Sequence, residues 1–135
     1  MTLALSPSAS LAPSASGGVR LVLRAEGLML LGVATLIHAW AGFSWIQFVG
    51  LFLAPDLSLA AYAFGPIWGA AAYNAAHATL APLALAAAAL ALHWTLGEAL
   101  ALIWLAHVGF DRALGYGLKY GSAFADTHLG RIGRP

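Results

Sequence analysis

Long apolar runs, interrupted at short intervals, organise this chain. Four of them reach the roughly 20 residues that a membrane-spanning helix needs: about Val19 to Trp40, Ser44 to Phe64, Pro66 to His93 and Leu96 to Gly115. The interruptions are small. Ala41-Gly42-Phe43-Ser44 is short enough to force an antiparallel reversal, and Gly65-Pro66 pairs a helix-ending glycine with a proline suited to a first turn. Gly97 marks the last reversal, while Pro55 and Pro82 predict kinks inside the second and third runs. Ahead of the first run, residues 1–18 form a Ser/Ala/Pro-rich lead that reads as a disordered tail. Behind the fourth, residues 117–135 form a polar, Gly-rich C-terminal tail that reads as solvated, the alternative being that Asp126-Thr127-His128 folds back over the inner mouth of the site. Residues 19–116 are thus expected to form one all-α domain, a four-helix transmembrane bundle.

Composition agrees with the pattern. Of 135 residues, 61% are hydrophobic and 8% charged, with a mean hydropathy of +0.84, whereas a soluble domain carries about 25% charged residues. The formal net charge of +1 gives no footing for nucleic acid as a partner. The absence of cysteine excludes disulfides, thiolate metal sites and a cysteine nucleophile. All six Lys and Arg lie early in the first run, or near and after the end of the fourth. The opposite loops carry none, so the positive-inside rule places both termini in the cytoplasm and the chain in the inner membrane as a multi-pass protein. Trp40, Trp45, Trp94, Tyr116 and Tyr120 sit near run ends, as an interfacial aromatic belt would.

The chemistry concentrates in Trp104-Leu-Ala-His107-Val-Gly-Phe-Asp111-Arg112. His107 and Asp111 lie four residues apart, on one face of a helix. Charged groups retained in lipid usually face a partner in the protein interior. At 1.5 Å per residue, Asp56 lies roughly 18 Å below the outer end of its run and His77 roughly 16 Å above the inner end of its own. His107 and Asp111 fall at the same level, so three helices bring four polar residues to one depth. Two histidines and two carboxylates make an N/O site for a divalent metal ion such as zinc, with Asp56 or Asp111 free to act as a catalytic base instead. Asn74, with Tyr73 beside it, is the candidate for orienting these ligands from behind. Arg112 and Lys119, toward the cytoplasmic boundary, are candidates for steering a lipid-like anionic substrate. Competing readings are a structural Asp56–Arg112 pair, a b-type haem held between His77 and His107, and ion or proton passage through the same residues. His38 and His93 near the outer helix ends read as ordinary interfacial residues.

Leu53-Ala-Pro-Asp56-Leu-Ser58, Tyr73-Asn74-Ala-Ala-His77, Ala106-His107-Val-Gly-Phe-Asp111-Arg112-Ala-Leu-Gly-Tyr-Gly-Leu-Lys119-Tyr120 and Phe124-Ala-Asp126-Thr-His128-Leu-Gly130 resemble domain-of-unknown-function family 4260. Those are small four-helix membrane proteins without an assigned activity, and the resemblance runs from about Arg24 to Gly133. A looser resemblance is to the membrane-bound predicted metal-dependent hydrolases. There, a Pro-Asp, a later His on a small-residue helix and a His-x-x-x-Asp on a late helix stand where Pro55-Asp56, His77 and His107/Asp111 stand here. That resemblance implies a metal-dependent hydrolase acting on an amphiphile. The alternative class is a small transporter or an accessory membrane subunit that uses the polar cluster for ion passage or assembly.

Overall fold

The structure, a computed structural model, describes residues 13–133, so most of the expected disordered lead lies outside the described residues. It is mostly helical. In order come α1 (Gly17–Trp40), α2 (Trp45–Leu51), a 3-10 helix (Ala54–Phe64), α3 (Pro66–His77), α4 (Leu80–Ala91), α5 (Thr95–Leu114) and a small hairpin of β1 (Asp126–Thr127) with β2 (Gly130–Arg131). Three stretches, Gly17–Trp40, Trp45–Phe64 and Pro66–Ala91, are long and apolar enough to cross a membrane. The fourth, α5, has 20 residues but carries Glu98, Asp111 and Arg112. It is also the most enclosed helix, with α1 and α4 packed along it.

The other helices point large apolar side chains outward, among them Leu21, Leu36, Trp40, Ile46, Phe64 and Leu80. Contiguous exposed apolar surface of this kind marks contact with another apolar medium. In lipid, helices gain little by burying apolar area, so small residues that let backbones touch dominate the contacts. The interior follows this rule, with Ala34, Ala70, Ala89, Ala99, Ala101 and Ala106 all buried. Gly27 of α1 and Gly109 of α5 mark the closest approach. A Cβ on Gly27 would lie 2.8 Å from the Ala113 nitrogen, and one on Gly109 would lie 2.7 Å from the Gly27 carbonyl oxygen.

Both expected kinks are full changes of helix type or direction. From Ala54, with Pro55 in its first turn, the second stretch winds as a 3-10 helix for 11 residues, much longer than such helices usually run. In the third stretch the break falls before Pro82, at Ala78-Thr79, where Ala78 is extended (ψ 142°). A proline ring clashes with the carbonyl four residues back, which here belongs to Ala78. Ending α3 at His77 and restarting at Leu80 puts Pro82 in a first turn, where its missing N–H is harmless.

The expected solvated tail after α5 is folded instead. α5 ends on Gly115 in the left-handed region (φ 96°), with the Tyr116 N–H returned to the Asp111 carbonyl. Lys119 is buried, as are Thr127 and Leu129 within the hairpin itself. The polar groups that suggested solvent are spent on one another: Asn74 Nδ2 donates to the Lys119 carbonyl (2.8 Å) and Asn74 Oδ1 accepts from the Lys119 N–H (2.7 Å). Tyr120 donates to the Pro13 carbonyl, and the Ala15 N–H donates to the His128 carbonyl, so residues 13–16 strap the hairpin from outside. His128 Nδ1 accepts from the Leu118 N–H (2.8 Å), which requires a lone pair on that nitrogen. Burial, and then the nearby Arg112 charge, push the His128 pKa down and favour that neutral form.

Candidate metal centre

Asp56 enters in the first turn of the 3-10 helix, His77 is the last residue of α3, and His107 and Asp111 sit one turn apart on α5. One ligand atom from each lies within 4.8 Å of all the others. His77 Nε2 is 3.1 Å from His107 Nε2, 3.3 Å from Asp56 Oδ1 and 3.4 Å from Asp111 Oδ2. His107 Nε2 is 3.4 Å from Asp56 Oδ1 and 3.9 Å from Asp111 Oδ2. A tetrahedral ion with bonds of 2.0–2.1 Å has ligand–ligand edges of about 3.3 Å. Five of the six edges among these atoms therefore fall at 3.1–3.9 Å, around the size that a coordinated ion needs.

Helix endings bring them together. Because the helix breaks before Pro82, the Ala76 carbonyl loses its partner within the helix, and the Trp104 indole N–H takes it at 2.6 Å. That bond ties α5 to the end of α3, one turn from His107. Ending α3 at His77 also lets the ring fold back, so that its Nδ1–H donates to the Tyr73 carbonyl (2.9 Å). The bond fixes the tautomer and leaves Nε2 bare for a cation. Tyr73 supports the site twice more: its ring stacks on His77 at 3.7 Å and 9°, and its hydroxyl donates to Asp111 Oδ2 (2.9 Å). The Tyr73–His77 spacing, one helical turn, was the signal for this in the sequence.

Electrostatics point the same way. Among the described residues, no Lys or Arg nitrogen comes within 4.0 Å of either carboxylate. The Asp56–Arg112 pairing considered from the sequence therefore does not form. Two carboxylates facing two imidazoles need shared protons or a cation to balance them. The largely buried group Asp56/His77/His107/Asp111 could hold a metal ion. Its one imperfect element is His107 Nδ1, which is buried without a hydrogen-bond partner among the described residues. With Nε2 given to a metal, that nitrogen carries an unpaired N–H, costing about 1–3 kcal/mol. Structural zinc binding is worth about 10–16 kcal/mol, so the penalty does not decide the outcome. A b-type haem would hold two axial nitrogens roughly 4 Å apart, twice a metal–nitrogen bond, with the macrocycle between them; here they stand 3.1 Å apart.

The remaining candidates lie around this centre. Asn74 clamps the Lys119 backbone, and its side chain makes no hydrogen bond to the four clustered residues among the described residues. The Lys119 ammonium is turned inward, 5% exposed, donating to the Phe124 carbonyl (2.8 Å) and lying over the Phe124 ring (3.6 Å) and the Tyr73 ring (4.8 Å). Burial lowers its pKa. Arg112 is half-buried on α5. His38 is fully buried among Phe43, Trp45 and Phe48, with Nε2 against the Ser44 carbonyl at 3.3 Å. A residue expected at an interface is thus an aromatic-packed core residue.

Residues 20–132 match the model of a protein family described as "Domain of unknown function (DUF4260)". No curated protein and no solved structure matches the chain.

Proposed function

This chain belongs to the DUF4260 family, a domain of unknown function, and we propose that its Asp/His/His/Asp centre is that of a metal-dependent membrane hydrolase acting on an amphiphile. The observation that carries the reading is the convergence of four potential ligand atoms with no Lys or Arg, among the described residues, within 4.0 Å of the carboxylates. His77, His107 and Asp111 are the firm ligands, since all three are buried and Asp111 is additionally held by Tyr73. Asp56 differs, with a side chain 37% exposed. Catalytic zinc sites keep three protein ligands and one open position. With three ligands so assigned, the more exposed Asp56 carboxylate would serve as general base and accept a proton. A divalent ion such as zinc would supply Lewis acidity and lower the pKa of a water at this centre.

An apolar recess of about 340 Å³ supports an amphiphilic substrate. Pro55 and Trp104 line it, neighbours in sequence of Asp56 and, one turn away, of His107. The test is hydrolysis by the purified protein in nanodiscs, across ester, amide and phosphoester amphiphiles, with and without a chelator. Turnover that disappears on chelation, returns with zinc and is lost in Asp56→Asn is expected. Metal-loaded protein that turns over none of them, while carrying ions across a proteoliposome, would replace this reading with transport.

We further propose a four-helix bundle in the inner membrane, with α1, Trp45–Phe64, Pro66–Ala91 and α5 as alternating spans. The start of α1 meets the end of α5, where Arg24 Nε donates to the Ala113 carbonyl (2.9 Å). The Gly65 corner lies at the same end, since Tyr62 packs on Phe124 with ring centroids 5.2 Å apart. All described Lys and Arg gather at that end, which the positive-inside rule makes cytoplasmic. In a chain with no cysteine, Ser44→Cys is expected to react with an impermeant thiol reagent from the periplasm, and Ser122→Cys only after the cells are opened. The reverse labelling would invert the topology.

A further inference from the structure

A second polar site lies apart from the metal centre, where the start of α1 meets the hairpin. A cleft of about 210 Å³ there is lined by Arg20, Arg24 and Arg131, together with backbone from Gly115, Gly130 and Gly133. We propose that this cleft binds a phosphate-bearing anion, either a lipid head group or a free phosphate.

Three features make it a built site and not merely basic surface. The first is that two guanidinium groups are anchored from behind. Arg20 Nε donates to the Ala15 carbonyl (3.0 Å) and Arg24 Nε to the Ala113 carbonyl (2.9 Å), which leaves the terminal nitrogens of each for a ligand. Preorganised guanidinium forks suit phosphate oxygens in a way a lysine ammonium does not. Next, the floor is glycine backbone held at positive φ, +96° at Gly115 and +115° at Gly130. A Cβ on Gly130 would lie 2.8 Å from Arg20 Nη2, so only glycine lets that guanidinium lie flat against the hairpin. Finally, the charge is uncompensated. Among the described residues neither Arg20 nor Arg24 has an acidic partner within 4.0 Å, and Arg131 has only Asp126, at 3.8 Å on the rim. Since a water takes up about 30 Å³ of liquid, the cleft has room for roughly seven waters and so for a phosphate group.

The experiment uses the full chain with two probes. Native mass spectrometry from phosphatidylcholine nanodiscs containing phosphatidic acid reads lipid retention, and thermal shift in detergent with inorganic phosphate reads the soluble ion. Arg20→Lys/Arg24→Lys keeps the net charge but removes the forks and the Nε anchors. It is expected to weaken whichever probe binds by about tenfold or more. Arg131→Gln, outside the helices, should weaken it as well and serves if the double variant does not fold. Retention of phosphatidic acid alone identifies a head-group site, and a shift with phosphate alone identifies a soluble ligand. Binding that is unchanged in the lysine variant, or wild-type protein that binds neither probe, overturns the proposal.

Discussion

Replacing His107 with alanine is expected to empty the metal centre. Purified wild-type protein should carry close to one divalent ion per chain, and His107→Ala close to none, by elemental analysis. The loss is large because His107 Nε2 faces all three of the other groups, His77 at 3.1 Å, Asp56 at 3.4 Å and Asp111 at 3.9 Å. His38→Ala is the matched control. His38 is as fully enclosed as His107, at 0% exposure, so both substitutions leave a comparable cavity in an aromatic surround. Only one of them removes a ligand. Equal metal content in the two variants would show that the cluster is packing alone.

Tyr73→Phe should lower metal affinity by about 10- to 100-fold, the usual effect of removing a group that orients a ligand. The substitution deletes only the hydroxyl that donates to Asp111 Oδ2 at 2.9 Å. It keeps the ring stacked on His77 and the backbone carbonyl that holds His77 Nδ1. Folding should therefore survive while the Asp111 carboxylate swings more freely. Competition against a chelator of known affinity measures the change. An unchanged affinity would reduce the Tyr73–Asp111 contact to helix packing.

The four residues that converge were legible because their signals are local. His107 and Asp111 share a face by spacing, and Asp56 and His77 fall at the same depth by counting from helix ends. The role of Tyr73 was half legible: its spacing puts it beside His77, but nothing local shows its hydroxyl turned to Asp111. Lys119 misled for a related reason. A basic residue just past a membrane helix normally snorkels outward, yet Asn74, 45 residues away in sequence, clamps its backbone and the side chain turns inward over Tyr73. The three arginines of the second cleft were visible only as a topology signal, because Arg20 and Arg131 lie at opposite ends of the chain.

The apolar runs and their Gly and Pro punctuation by themselves determined where helices form, which stretches can span a membrane and which polar residues lie inside those stretches. Those are properties of short windows, set by hydropathy, backbone freedom and helical period. Tertiary structure alone decided how the helices rotate against one another, and so which polar atoms meet. That rotation is fixed by contacts between residues far apart in sequence: Gly27 on Gly109, which brings two backbones together, and Trp104 on the carbonyl that Pro82 frees at Ala76. The fold of the C-terminal hairpin was decided the same way. Its polar residues are satisfied by α3 and by residues 13–16 instead of by water, and no window of the sequence contains both sides of those bonds.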